Sequence, residues 1–447
     1  MILALLATLP AVVLGWLLVR LLLPAEPWKP AWIRWLMEIA LGTGLGAGLT
    51  SCLYFLLVWA SVASRAAELG LEAVALVCAA WLLVRRRTNR DAAAAATTPL
   101  RFSWNWVLRL AVVLALLLFV MDFGQAIGAS PDGEWDAFSV WNVRARYLAG
   151  GATTWRYAVS SDVSAKLFGA SHPGYPLLLS ASVARLWMLA GNTSSGAPAT
   201  LSLLFTLATL GLLCGMLAWV RAESAALLAL LVLLATEGFV SQAASQYADI
   251  PLSFFILATL GLLGCAAERE WPAGVLVLAG LSAGLAAWTK NEGLPFLLLT
   301  IGVVAWRGAL PAAKWIAAGA APAALVTAAF KLWVAPPGGD ADLPKTVGEA
   351  VAKLGDGGRW VQVLESFARN LWDLGVWWAH PILLLFGELG LVVLPRPPRD
   401  VVVPHGPHSS GEQQPDRQQE DGAVGALLVV YTASCHAITS RLTPAIP

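Results

Sequence analysis

The chain has 447 residues, of which 58% are hydrophobic and only 13% charged, about half the charged share of roughly 25% usual in soluble domains. Apolar runs of about 20 residues recur along it, which exclude an ordinary soluble domain and predict an all-α polytopic membrane protein. A net charge of +1 without any basic tract gives no footing for a nucleic-acid partner.

Residues 3–23 form the first apolar run. No charge precedes it and no clear small-residue cleavage site follows, so it is expected to be a retained span rather than a signal peptide. Further spans are predicted near 36–60, 69–84, 105–124, 199–219, 223–238, 250–266, 273–289, 293–306, 312–334, 376–395 and 423–438, about twelve in all within bounds of ten to thirteen. Tryptophans such as Trp28, Trp32, Trp35, Trp377 and Trp378 gather near span ends, as an interfacial belt requires. The five cysteines, Cys52, Cys78, Cys214, Cys265 and Cys435, lie in or beside apolar stretches without CxxC spacing and read as buried thiols.

Basic residues in short loops set the orientation. Arg85, Arg86, Arg87 and Arg90 make the loop after the third span cytoplasmic, and Lys29, Arg34, Arg221, Arg269, Arg307, Lys314, Arg396 and Arg399 then fall inside as well. Residues 175–190 are apolar but interrupted by Arg185, and a full crossing there would invert every later loop. They are expected to be a juxtamembrane or partly inserted helix inside one exterior loop, 125–198.

The expected organisation is therefore a three-span region (1–104), a membrane core (105–334) carrying that loop, and an exterior segment plus span (335–395). A polar cytoplasmic loop (396–422) and a last span with its tail (423–447) complete it. The 396–422 composition predicts disorder, with His405 and His408 solvated rather than metal-bound. No internal repeat is evident, which argues against an inverted-repeat transporter.

On this threading, three charged segments share the exterior edge: Asp132, Glu134 and Asp136 in SPDGEWDAF; Asp249 in QYADIPLSFF; and Lys290 with Glu292 in WTKNEGLPF. Charges kept at a membrane edge are costly and mark a candidate site. A carboxylate there can be poised as a general base, and a nearby Lys or Arg can bind a phosphate. If 137–147 is helical, Arg144 lies near the Asp136 face and Arg146 is rotated away. Two readings stand on spacing alone: catalysis, or Asp136 as a helix cap with the arginines on lipid headgroups.

The order HPGYPLL, QYADIPLSFF, GLSAGLAAWTKNEGLPF after an acidic exterior loop resembles the C-superfamily of membrane glycosyltransferases. The likeness spans roughly 105–334 and is nearest to the branch of dolichyl-phosphate-mannose–protein mannosyltransferases and bacterial lipid A aminoarabinose transferase. The resemblance implies transfer of a sugar from a polyprenyl-phosphate carrier to a lipid, glycan or protein acceptor, with inversion, on the exterior face of the plasma (inner) membrane. It implies Asp136 as catalytic base and Lys290, Arg144 and Arg146 near the donor phosphate. Asp249, His172, Tyr175 and Glu292 would then line the substrate pocket. The family usually places Glu after the base where this chain has Ala137, which puts a second-carboxylate role in doubt unless Asp132 or Glu134 substitutes. No metal ligand set has convincing spacing, so no obligatory metal is expected, although the family leaves a divalent cation open.

Bland readings accompany these roles. Pro173 and Pro176 turn the chain into a helix, Asp249 caps the span that follows it, and Lys290 snorkels to the interface. The rival functional class is a transporter or flippase of lipid-linked sugars, whose charges should line a path to both faces. A surface-polysaccharide polymerase or ligase and a non-enzymatic assembly subunit are the remaining alternatives.

Overall fold

Apolar stretches without a hydrogen-bonding partner in lipid must close their backbone bonds locally, and they do so here as helices. The computed structural model describes residues 1–24, 31–87, 105–162, 172–267, 272–307, 309–336 and 346–372, and no strand occurs among them. The chain divides into two units, Met1–Gly355 and Asp356–Pro447.

The first unit begins with α1 (Ile2–Leu22), α2 (Ala31–Trp59), α3 (Arg65–Arg87) and α4 (Asn105–Ala129). A loop region follows, with a π-helical turn at Ala137–Trp141, α5 (Asn142–Ala149) and α6 (Leu178–Ala190). Then come α7 (Gly196–Val220), α8 (Glu223–Leu234), α9 (Glu237–Ser245), α10 (Asp249–Ala267), α11 (Ala273–Thr289), α12 (Gly293–Trp306) and α13 (Leu310–Ala329). A second π turn, Phe330–Val334, extends α13, and α14 (Val347–Gly355) closes the unit. In the second unit, the described residues form α15 (Gly357–Trp372).

Among the described residues, seven helices are long and apolar enough to cross a membrane: α1, α2, α3, α4, α7, α10 and α13 with its π turn. The protein is thus a multi-pass helical membrane protein. Each of the first ten expected spans corresponds to a helix, but three differ from a simple crossing. The stretch expected as one span at 223–238 is two helices, α8 and α9, that meet at 69° across Ala235 and Thr236. Helices α11 and α12 have 17 and 14 residues, shorter than the roughly 20 needed for an untilted span. The predicted spans 376–395 and 423–438 and the polar loop 396–422 lie outside the described residues.

Where α1 meets α2, and where α11 meets α13, the contact is backbone to backbone. A side chain at Gly15 would collide with the Gly42 carbonyl, and one at Gly46 with the Ala11 carbonyl. Gly280 and Gly284 play the same part against Ile316 and Ala320. Small residues four apart allow this approach, which replaces the hydrophobic driving force absent in lipid. The glycines of GLSAGLAAW are therefore packing residues of the bundle.

Helix α6, expected as a juxtamembrane or partly inserted helix, is a short apolar helix of 13 residues. It is buried from Leu178 through Trp187, and Arg185 is only 2% exposed. The Arg185 guanidinium donates to Glu68 Oε1 at 2.8 Å and to Glu72 Oε1 at 2.9 Å, both on α3. Those two glutamates, one turn apart, are buried, while the face around them is largely exposed as a lipid-facing helix would be. The charge that argued against insertion is the one that ties α6 to α3.

Candidate functional site

Contacts between helix ends show which loops share an end of the bundle. Arg109 near the start of α4 bonds Glu223 at the start of α8 (2.6 Å), while the loop after α4 meets the end of α9. The bent pair α8–α9 therefore runs alongside α4 from one end to the other, which makes it one broken crossing. At the second end, Trp59 of α2 stacks on Trp333 after α13 (6.2 Å), and Lys331 reaches the turn after α11. This end collects the three charged segments.

The loop carrying Asp136 is docked on the turn between α9 and α10. Gln246, held at φ +61°, donates from Nε2 to the Pro131 carbonyl (3.1 Å), and the Glu134 amide donates to the Ser245 carbonyl (3.2 Å). Asn142 donates to the Asp132 carbonyl (3.0 Å), and the Asp136 amide donates to the Tyr247 hydroxyl (3.3 Å). These bonds join positions more than a hundred residues apart, except the Asn142 bond within the loop. They fix the Asp136 backbone rather than its carboxylate, which makes no hydrogen bond among the described residues.

Asp136 stands at the start of the π turn with no side-chain capping bond, so the capping reading does not hold. Burial pushes its carboxyl above the ordinary carboxylate range; the Lys290 charge pulls it down, Asp249 raises it and His172 lowers it. Tyr247 beside it is pushed up by burial to about 12, against the Asp136 amide bond, so its phenol keeps its proton.

Lys290 ends α11 in extended backbone and is buried. Its ammonium lies 3.2 Å from Asp249 Oδ1 and 3.6 Å from Glu292 Oε1. Burial alone would lower its pKa, but Asp249 and Glu292 outweigh that and hold it above the ordinary lysine value. It is a bridging charge, where the interfacial reading expected a snorkelling one. Asp249 is the first residue of α10, one position past the expected cap, with its carboxylate spent on Lys290. Gly293 lets α12 turn back on α11, since a side chain there would strike the Ala286 carbonyl.

His172 and Tyr175 stack at 4.8 Å, with His172 at φ +38° and the Tyr175 amide donating to the His172 carbonyl (2.9 Å). Both are partly buried, His172 within electrostatic reach of Asp136 and Tyr175 of Lys290. The HPGYP turn thus sits beside the same charged cluster.

The two arginines are placed differently from the expectation that they hold a donor phosphate. Arg144 is buried and braces the loop, donating to the Ala158 carbonyl (3.0 Å) and the Tyr175 carbonyl (2.7 Å). Arg146 is half-exposed, 3.6 Å from Asp132 and over the Trp187 ring. With Asp132 so engaged, the second carboxylate beside Asp136 is Asp249. Ala137 is fully buried, so a longer side chain there needs room the loop does not have.

Sequence reasoning missed Lys331, which donates to the Gly174 carbonyl (2.6 Å) and to Asn291 Oδ1 (2.7 Å), joining the HPGYP turn to the Lys290 turn. Its signal was present: a lysine inside the end of an apolar span is a costly placement. Tyr247 was missed because a tyrosine at a span edge reads as interfacial. No group of three or more metal-ligating side chains occurs among the described residues.

A separate cavity, large enough for about one water, lies among α1, α2, α6 and α7, lined by Thr8, Thr43, Thr50, Ser182 and Arg185 and not by Asp136 or Lys290. No family model, curated protein or solved structure matches the chain.

Proposed function

We propose that this protein is a membrane glycosyltransferase of the C-superfamily type, moving a sugar from a polyprenyl-phosphate carrier to a lipid, glycan or protein acceptor at the exterior face. The observation that carries this reading is Asp136: a partly buried carboxylate with a raised pKa and no hydrogen-bond partner among the described residues, within the electrostatic reach of a lysine held charged. A general base needs a carboxylate free to take a proton, and a phosphate leaving group needs a fixed cation.

In the proposed reaction, the acceptor hydroxyl or amine gives its proton to Asp136 as its oxygen or nitrogen attacks the anomeric carbon. The bond from that carbon to the phosphate oxygen breaks, its electron pair stays on the polyprenyl phosphate, and the configuration inverts. Lys290 faces the departing phosphate, with Lys331 one hydrogen bond behind it through Asn291. Asp249 and Glu292 keep Lys290 charged, and His172 and Tyr175 offer a ring platform for the sugar. Binding the phosphate means competing with those carboxylates for Lys290.

One observation favours the transporter reading: the broken crossing α8–α9, whose end carries the turn that holds the Asp136 loop. Membranes containing the protein, incubated with labelled polyprenyl-phosphate sugars, separate the two. Label leaving the carrier in an Asp136-dependent way supports the enzyme. Label crossing the bilayer while still on its carrier sinks it.

A further inference from the structure

Apart from the charged cluster, α15 carries a surface pattern that the chemistry above does not use. Its residues separate cleanly around the helix. Trp360, Val361, Leu364 and Phe367 recur at one face, while Arg359, Gln362, Ser366 and Arg369 occupy the other. Val361 is 55% exposed and Leu364 64% exposed, so the apolar face is an open one. Helix α14 repeats the arrangement on its own, with Val351 and Leu354 exposed and Glu349 paired to Lys353 at 2.9 Å.

We infer that α15 lies in the plane of the membrane interface, its apolar face among the acyl chains at the headgroup boundary and its arginines at the lipid phosphates. Three features select lipid as the occupant. The helix is too polar to span, with Arg359, Glu365 and Arg369 in sixteen residues, yet its moment is that of a surface-seeking helix. Trp360 and the two arginines are the side chains that favour the headgroup level. The chain also supplies the surface: the π turn after α13, itself part of a crossing helix, ends at Val334, and twelve residues (335–346) precede α14. With α14 and Asp356 added before α15, the tether from Val334 reaches at most about 60 Å, so binding to the bilayer is effectively intramolecular.

The test uses the full-length chain in lipid nanodiscs. The exposed Cys78 and the C-terminal Cys435 are replaced by Ser, leaving the three buried thiols in place. A nitroxide is attached to single cysteines at positions 361, 362, 364 and 366 in turn, and its collisions with oxygen and with a water-soluble nickel chelate are compared. Oxygen should dominate at 361 and 364 and the chelate at 362 and 366, giving opposite phases along a period of about 3.6 residues. Chelate access at all four positions would mean a helix standing in water and would overturn the proposal. Exclusion of both reagents at 361 and 364 would mean a protein cover, another segment or a second copy, and would overturn it equally.

Discussion

Two clusters in this protein use the same ingredients, carboxylates gathered on one buried cation, and put them to opposite ends. Around Arg185, Glu68 and Glu72 are at most 1% exposed, and all three groups sit on helices. Around Lys290, Asp249 is 13% exposed and Glu292 30%, and the cation sits on a turn. A cation sealed between helices has no approach for a ligand and serves as a tie between α3 and α6. Lys290 is as buried as Arg185, but its carboxylate partners are more exposed, and the Asp136 carboxylate that its charge acts on makes no hydrogen bond among the described residues. Location at a helix end, not charge content, distinguishes them.

The comparison breaks most sharply at Asp136. Asp136→Asn should reduce sugar transfer by about 10²–10⁴-fold, the usual worth of a general base. Insertion and thermal stability in nanodiscs should be unchanged. Retained transfer would move the site elsewhere.

Arg185 should show the reverse behaviour. Arg185→Met leaves two buried glutamates without their cation and should cost about 3–5 kcal/mol, read as a lowered thermal midpoint. Replacing Glu68, Glu72 and Arg185 together by Leu should recover most of that loss, because a buried ionic group and an apolar one of similar volume are often close in stability. Failure of the triple variant to recover would give the cluster a role beyond tying two helices.

At Gly293, Ala forces a methyl group into the Ala286 carbonyl, and overpacking of this kind costs about 1–3 kcal/mol. Since that turn also sets Lys290, activity should fall along with the midpoint.

The pH profile of transfer sharpens the comparison further. Asp136 acts only when ionised, and its pKa is raised by burial, so activity should fall on the acid side through a value above that of an ordinary aspartate. Lys290 holds that value down, so Lys290→Gln should move the acid limb to higher pH in whatever activity remains. An unmoved limb would dissociate the two residues. The smallest effect is expected at Arg146→Ala, where the exposed pair with Asp132 is worth less than about 1 kcal/mol.

Much of the architecture was legible before any coordinates. Seven predicted spans coincide with helices long and apolar enough to cross a membrane, because hydrophobicity over about 20 residues is a local property. The break at Ala235 and Thr236 was passed over, although Thr236, Glu237 and Gly238 interrupt the apolar run there. Of the site, the shared end of Asp136, Asp249 and Lys290 followed from counting crossings. The division of labour among the basic residues did not. Arg144 and Arg146 are two residues apart, yet one braces backbone carbonyls in the interior and the other sits half-exposed on Asp132. Lys331 was hidden inside a predicted span.

The sequence by itself determined that this chain is helical, crosses a membrane several times and carries its costly charges at span edges. These follow from composition and from the need to satisfy every backbone group within lipid. Only the tertiary structure decided which charge answers which. Lys290 meets Asp249 across 41 residues and Arg185 meets Glu68 across 117, and pairings so distant depend on how helices pack. The glycines that allow that packing are visible in the sequence; the partners they bring together are not.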